Sequence, residues 1–258
     1  MATKRTILSE KELHLIEALV AKYGIVVTFN QIRSIIKNKI SIQGIRNLAN
    51  KLSNNGWLVR IQKGTYAITS LESRGFTTLS VYRIAQLLEK ESYVSFEAAL
   101  QHYGMFDQQL KTIVSVSLKR RATKEIQGIR YQFVKTKKEL YYGWQQQRIE
   151  NHLVNIATAE KALLDILSFK RDVYSIDLVL EKLKDHKESI DLARMNKLCE
   201  KQTMAVKRIM GFLLDKLSID SSRIHALVKD SKNSTYMTKD SKKFNAKWRL
   251  YYHKHFKS

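Results

Sequence analysis

Amide and basic side chains recur at helical spacing between positions 41 and 54. They are Gln43, Arg46, Asn47, Asn50 and Asn54, and Lys51 is a further DNA-binding candidate of this segment. Glutamine, asparagine and arginine can form bidentate hydrogen bonds with purine edges in the major groove of a duplex. The same face of the predicted helix carries no carboxylate. The pattern therefore favours contact with nucleic acid.

The apolar residues of the same segment recur at helical spacing, so the segment is predicted to be an amphipathic helix. Its opposite face is apolar, at Ile42, Ile45, Leu48, Ala49 and Leu52. Ser41 is a suitable N-cap, because its hydroxyl can accept a hydrogen bond from a free backbone N–H of the first turn. Asn54-Asn55-Gly56 predicts the end of the helix, since asparagine and glycine tolerate the left-handed conformation found there.

A hairpin is predicted directly after this helix. Residues 57–61 and 65–68 alternate in polarity, and Gln62-Lys63-Gly64 joins them with glycine where a positive φ is needed. We expect Arg60 and Lys63, near the hairpin tip, to hold phosphates, and Arg46 and Asn47 to read bases. An ordinary helix and hairpin of a basic protein is the alternative interpretation.

The residues before Ser41 favour a winged helix-turn-helix domain over residues 1–70. Ser9 with Glu12 and Thr28 with Gln31 have capping-box spacing. A buried stripe is predicted on the first helix at Leu13, Ile16, Leu19 and Val20, and one on the second helix at Ile32, Ile35 and Ile36. The resulting order is helix, short apolar run, helix, turn, helix and hairpin. Further DNA-binding candidates in this domain are Arg33, Lys37 and Lys39, and residues 1–6 are expected to form a short tail.

The rest of the chain predicts a larger mixed domain. Residues 71–78 are interpreted as a connector, and residues 79–258 as an α+β domain with a small β-sheet packed by helices. Strand-like alternation occurs near residues 113–116 and 129–134 and within 141–156. Ser95 and Thr158 are predicted to be helix N-caps.

Composition points to a polyanionic partner. The 258 residues carry a formal net charge of +22, with an isoelectric point near 9.9. Nucleic acid is the first candidate partner, an acidic protein the second and a membrane surface the third. A single cysteine, Cys199, excludes an internal disulfide and fits a reducing cytoplasm. No apolar run approaches the length of a membrane span.

Two stretches outside the predicted DNA-binding domain concentrate positive charge. Residues 111–138 hold nine basic residues and one acid, and residues 229–258 hold nine basic residues and two acids. The first stretch includes Lys119, Arg120 and Arg121, which are candidates for acting on a partner of this domain. A solvated strand face and a solvated tail are the alternative interpretations.

The sequence predicts a protein that is not an enzyme. It contains neither the glycine-rich phosphate loop nor the G-x-S-x-G elbow. No histidine pairs with another histidine or cysteine at helical metal-ligand spacing. We therefore expect no catalytic residue, cofactor or metal. A nuclease centre could be built from Asp107, Glu150, Glu160, Asp165 and Lys161. Acid and lysine pairs on helices are, however, more often surface pairs.

Five motifs in order carry a resemblance to a known family. They are GWLVR with KGTY at 56–66, YVSFEAAL at 93–100 followed by Tyr103-Gly104, IATAEKALLD at 156–165, RIMGFLLD at 208–215, and KWRL at 247–250. In this combination the chain resembles the AbiEi family of antitoxins of bacterial type IV toxin–antitoxin, or abortive-infection, systems. It departs from the family pattern at Ala159, where proline is usual.

The resemblance implies a cytoplasmic transcriptional autorepressor that binds the operator of its own operon as duplex DNA. It also implies that the second domain counters a nucleotidyltransferase-type toxin in phage defence, with Glu160 and Lys161 as candidate residues. Two other functions stay open at this point. One is a nuclease-like DNA-processing enzyme that its winged helix delivers to DNA, and the other is a simple ligand-responsive repressor.

Overall fold

The structure is a computed structural model that describes residues 7–36 and 40–256. It is a mixed α+β fold, as the sequence predicts. The chain divides into two compact units, of which unit 1 ends at Lys90 and unit 2 begins at Glu91. Within the described ranges, no helix has both the length and the apolar character that crossing a membrane requires.

Unit 1 contains four helices and a three-stranded sheet among its described residues. The elements in chain order are α1 (Glu10–Tyr23), β1 (Val26–Thr28), α2 (Phe29–Ile36), α3 (Ile42–Asn54), β2 (Leu58–Gln62), β3 (Thr65–Ile68) and α4 (Val81–Leu88). The sheet has the order β1-β3-β2 and both pairings are antiparallel. The β2–β3 hairpin is therefore joined to the segment that leads into α2.

Both predicted capping boxes are present in unit 1. The backbone N–H of Ser9 donates to Glu12 Oε2 over 2.9 Å. The backbone N–H of Thr28 donates to Gln31 Oε1 over 2.7 Å, and Gln31 N–H donates back to Thr28 Oγ1 over 3.3 Å. These reciprocal bonds satisfy donors that the first turn of a helix leaves free.

The buried stripe of α1 differs from the prediction. Leu15, Ile16 and Leu19 are buried, whereas Leu13 and Val20 are 45% and 39% exposed. The stripe that faces the core also includes Glu12, at the i, i+3, i+4 and i+7 positions of one helix face. A charged residue in the stripe hid this register in the sequence, because a stripe read from apolar residues alone leaves Glu12 out.

The boundary between the units lies further along the chain than the connector predicted at residues 71–78. Helix α4, which we assigned to the second domain, belongs to unit 1. The side-chain amide of Gln62 in β2 donates to the backbone carbonyl of Leu87 in α4 over 2.9 Å. Ile84, Ala85 and Leu88 are buried, and α4 contacts β2 of unit 1.

Unit 2 contains three helices around residues 159–200 and further elements on both sides. They are β4 (Ser92–Val94), α5 (Phe96–His102), β5 (Thr112–Ser117), β6 (Lys124–Ile126), β7 (Ile129–Lys135), β8 (Trp144–Ile149), β9 (His152–Ala157), α6 (Ala159–Phe169), α7 (Val173–Asp185), α8 (Leu192–Glu200), α9 (Met204–Lys216), α10 (Ser222–Ala226), β10 (Thr235–Tyr236), β11 (Lys243–Asn245) and β12 (Leu250–Tyr252). Short 3-10 turns occur at Lys138–Leu140 and Lys254–Phe256.

Two sheets form in unit 2. The larger has the order β6-β7-β5-β4-β9-β8, with β5–β7 and β4–β9 parallel. The smaller has the order β10-β12-β11. Of the two predicted caps, Thr158 accepts from Lys161 N–H over 3.3 Å, which confirms it. Ser95 also lies at the predicted N-cap position of α5, but its hydroxyl donates to Asp165 in α6 and makes no side-chain cap bond to α5.

Candidate nucleic-acid interface

Helix α3 presents the polar face that the sequence predicts. The Ser41 hydroxyl accepts from Gly44 N–H over 3.1 Å and so begins the helix. Ile45, Ala49 and Leu52 are buried in the unit 1 core. Burial of this apolar stripe fixes the rotation of the helix, and the opposite face is therefore held toward solvent. The exposed side chains on it are Gln43, Arg46, Asn47 and Asn50.

Three of these side chains form a chain of hydrogen bonds along the helix. Gln43 Nε2 donates to Asn47 Oδ1 over 3.0 Å, and Arg46 Nη1 donates to Gln43 Oε1 over 3.4 Å. The partners are three and four residues apart, which is the spacing of neighbours on a helix surface. The bonds hold the amides and the guanidinium side by side on the exposed face of the helix.

The β2–β3 hairpin lies beside this face and forms a cleft with it. The cleft has a volume of about 370 Å³ and is lined by Phe29, Arg46, Asn50, Arg60, Lys63, Gly64 and Tyr66. The hairpin tip is fixed in place, because Phe29 N–H at the start of α2 donates to the carbonyl of Gly64 over 2.8 Å. Gly64 has a φ of 75°, a conformation that glycine adopts without strain.

Three cations converge on the cleft. Arg46 comes from α3, Arg60 from β2 and Lys63 from the hairpin turn. In the part of the chain that the structure describes, none of the three shares an ion pair with a carboxylate. A positive cleft of this kind can bind an anion such as a backbone phosphate. Phe29 and Tyr66 also line it; nothing in their spacing singled them out in the sequence.

The remaining DNA-binding candidates lie apart from the cleft or outside the described residues. Lys51 Nζ is 2.8 Å from Glu12 Oε1 in α1, so its charge is engaged within the unit. Arg33 is exposed on α2. Lys37 and Lys39 lie outside the described residues. Burial alone would raise the pKa of Glu12, but hydrogen bonds from Lys51 and Ser9 outweigh burial and leave that pKa below its ordinary value.

The two candidates from the IATAEKALLD motif are buried in unit 2. Glu160 and Lys161 are each 1% exposed. Glu160 accepts from the backbone N–H of Asp191 over 3.0 Å and lies 3.4 Å from Arg194 Nη1. The aliphatic part of Lys161 passes so close to Gly143 that a Cβ there would lie 2.9 Å from it. In these surroundings both side chains serve the packing of α6.

A polar network around Asp165 holds Lys161, and sequence reasoning missed it. The Lys161 ammonium donates to Asp165 Oδ1, and Asp165 Oδ2 accepts from Ser95 Oγ over 2.7 Å and from Tyr93 OH over 3.2 Å. The ammonium also lies 5.1 Å from the ring centroid of Tyr142. Burial raises the pKa of Asp165, against the effect of Lys161, and burial with the nearby Asp165 raises the pKa of Tyr93.

Lys119, Arg120 and Arg121 lie on the surface, in the turn that follows β5. Lys119 Nζ is 2.5 Å from Glu91 Oε2. Residues 7–36 and 40–256 contain no group of three or more histidine, cysteine, aspartate or glutamate side chains arranged to hold a metal ion.

No protein-family profile and no curated protein sequence matches this chain. Its α+β fold is similar to a solved structure, the crystal structure of the RV2827C protein from Mycobacterium tuberculosis, with a TM-score of 0.67. The two chains are 14% identical, and the alignment covers 96% of this chain and 93% of that chain. Similarity at this identity shows a shared fold and does not by itself transfer a function.

Proposed function

We propose that this chain is a DNA-binding transcriptional autorepressor whose unit 2 acts as the antitoxin to a nucleotidyltransferase-type toxin in a bacterial type IV system. The observation that carries the DNA-binding part is the exposed amide and arginine face of α3 beside a cleft whose cations share no ion pair with any described residue. Amides can read base edges, and the cations can neutralise phosphates.

The order of elements in unit 1 supports a winged helix-turn-helix. In that class the second helix of the motif enters the major groove, and a hairpin contacts the backbone beside it. Here α3 is the helix with the polar face, and β2–β3 is the hairpin that carries Arg60 and Lys63. The bond between Phe29 and Gly64 fixes the hairpin relative to α2 and α3, and such preorganisation favours binding.

The antitoxin part rests on the resemblance of five ordered motifs to the AbiEi family. The buried positions of Glu160 and Lys161 give these two residues a role in the core of unit 2. Contact with the toxin, or with its substrate, must then involve surface groups of unit 2. The exposed candidates are Lys119, Arg120 and Arg121. The proposal includes no catalysis by this chain.

Fluorescence anisotropy tests the DNA-binding part. The full-length protein is titrated into a labelled duplex from the region upstream of its own gene, and into a random duplex of equal length. Arg46→Ala should cost about 1–3 kcal/mol on the first duplex and reduce the preference for it. Lys63→Ala should weaken both duplexes equally and lower the salt slope by about 1.

The matched control is Lys11→Ala. Lys11 is an exposed lysine of the same unit on α1, outside the cleft, so its removal changes the net charge equally. It should leave both affinities within about a factor of two, as expected for an isolated surface charge. Equal losses in Lys11→Ala and Lys63→Ala would contradict the assigned cleft. A uniform loss in Arg46→Ala would make Arg46 a phosphate contact.

Co-expression tests the antitoxin part. The full-length Arg46→Ala, Lys63→Ala variant should lose repression of a promoter reporter yet still protect cells from the neighbouring nucleotidyltransferase. The triple alanine variant of Lys119, Arg120 and Arg121 should repress and fail to protect. Loss of both functions together in either variant would refute the division. Incubation with magnesium or manganese and DNA should produce no cleavage, and cleavage would favour the nuclease alternative.

A further inference from the structure

The small sheet at the end of unit 2 presents three aromatic rings in one row, which we call the aromatic row. Tyr236 in β10 pairs with Tyr251 in β12, and Tyr251 pairs with Phe244 in β11. The rings of Tyr236 and Tyr251 are stacked at a centroid distance of 4.6 Å, and those of Phe244 and Tyr251 are 5.0 Å apart. Each strand thus contributes one ring to the same face.

The aromatic row is open to solvent. Tyr236 is 54% exposed and Phe244 is 50% exposed, although both belong to regular strands. They stand on the two outer strands of the sheet, so the ring face of each that points away from Tyr251 has no neighbouring strand. Large apolar side chains grouped on a surface in this way are uncommon unless they bind something.

The other face of this sheet is packed firmly onto α9. Leu250 is buried, and the ring of Tyr252 lies 5.0 Å from that of Phe212. Trp248, just before β12, is buried and donates its indole N–H to Asp215 Oδ2 over 2.7 Å. The sheet is therefore a fixed support, and the exposed rings do not need to become ordered when a partner binds.

Positive charge surrounds the aromatic row along the chain. The exposed basic residues near its strands, leaving aside Lys243 on the opposite face, are Lys239, Lys242, Arg249 and Lys254. Among the described residues, none of these four is in an ion pair with a carboxylate. A purely apolar partner would leave these cations unused, whereas a polyanion would neutralise them.

We infer that the aromatic row is a stacking platform for single-stranded nucleic acid, with the surrounding cations holding its phosphates. Unpaired bases expose ring faces that continue a stack of aromatic side chains, and this mode tolerates any sequence. In a duplex those faces are already covered by neighbouring base pairs. A single strand can therefore stack on the rings and neutralise the cations, whereas a duplex can neutralise the cations alone.

This inference is independent of the proposed repressor function, because it concerns unit 2 and does not involve α3. Its test uses the full-length protein and fluorescein-labelled oligouridylate and oligothymidylate of about 12 nucleotides, within the range of known single-strand sites. A duplex of random sequence and equal length is the competitor. The two single strands distinguish RNA from DNA as the preferred partner.

Tyr236→Ser and Phe244→Ser should each weaken single-strand binding about fivefold or more, because removing one stacking partner costs at least about 1 kcal/mol. Tyr236→Phe keeps the ring and should bind within about a factor of two of the parent protein. Tyr174→Ser is the matched control, since Tyr174 on α7 is 66% exposed and lies outside the aromatic row. It should change nothing.

Circular dichroism and thermal unfolding are the controls that each variant remains folded. The inference is overturned if Tyr236→Ser and Tyr174→Ser bind alike, if Tyr236→Phe binds as poorly as Tyr236→Ser, or if the duplex competes as well as an unlabelled single strand. The Arg46→Ala, Lys63→Ala variant should keep its single-strand affinity. Failure of that variant on duplex DNA would bear on α3 and leave the aromatic row unaffected.

Discussion

The cations of the unit 1 cleft and Lys161 of unit 2 carry the same charge in opposite surroundings. Arg46, Arg60 and Lys63 face a cleft and share no ion pair among the described residues, whereas Lys161 is 1% exposed and bonded to Asp165. A cation in solvent keeps its charge available for a partner. A buried cation needs its carboxylate to offset the cost of desolvation. Burial therefore separates a binding role from a structural one.

The largest expected effect is on the buried pair. Lys161→Ala should lower the free energy of unfolding by about 3–5 kcal/mol, because Asp165 is left buried without its cation. Urea denaturation followed by circular dichroism measures the loss. A double variant, Lys161→Met with Asp165→Leu, removes both charges and should lose less than the single one. A loss below about 1 kcal/mol in Lys161→Ala would mean that the pair is dispensable.

The next largest change in stability is expected at two helical glycines, one in each unit. A Cβ at Gly211 on α9 would lie 2.1 Å from the buried ring of Trp248, whereas one at Gly44 on α3 meets its nearest atom at 3.4 Å. Gly211→Ala should lose about 1–3 kcal/mol through overpacking. Gly44→Ala should gain up to about 1 kcal/mol from helix propensity. Similar melting temperatures in both variants would disprove the close approach.

Variants of the cleft cations should weaken DNA binding and leave stability almost unchanged, which is the reverse of the effect expected for Lys161→Ala. Arg60→Ala and Lys63→Ala should change the free energy of unfolding by no more than about 0.5 kcal/mol, as exposed positions do. Each should lower the salt slope of duplex binding by about 1, because one phosphate contact is lost. Unfolding and anisotropy measured on the same samples check both statements. A stability loss as large as that of Lys161→Ala would remove the distinction.

The last expected effect depends on pH and concerns Glu12, which is buried beside Lys51. Its pKa in the folded protein lies below the ordinary 4.5, so its charged form contributes stability above about pH 4.5. This contribution should disappear as the pH falls through the lower folded value. Glu12→Gln keeps the capping geometry and loses the charge, at a cost of about 1 kcal/mol or less. Parallel pH-stability curves for both proteins would contradict the assignment.

Local signals in the sequence were sufficient where the partners are close along the chain. Ser9 with Glu12, Thr28 with Gln31, and Thr158 with the N–H of Lys161 all form as their spacing predicts. Ser95 lies at the N-cap of α5 as predicted, but its hydroxyl bonds to Asp165, 70 residues away, and not to the first turn of the helix. No periodicity encodes such a distance. The capping motif therefore predicted where the helix begins and could not predict the bonding partner of the hydroxyl.

The candidate residues also divide into those whose surroundings the sequence predicted and those whose surroundings it did not. The polar face of α3 follows from helical period, and the hairpin loop follows from Gly64. The roles of Glu160 and Lys161 could not be inferred, since Lys161 and Asp165 at i and i+4 have the spacing of an ordinary surface pair. Lys51 was a DNA-binding candidate, but its position on α3 brings it to Glu12.

The bonds from Tyr93 and Ser95 to Asp165 have a consequence for synthesis of the chain. Strand β4 lies between β5 and β9 in the large sheet, and the residues around it finish their hydrogen bonding in α6. Unit 1 has all its elements before residue 91. A nascent chain can thus complete unit 1 early, whereas the start of unit 2 must wait for about 70 more residues. Ribosome-stalled chains ending before residue 165 should resist protease in unit 1 and be cut after it.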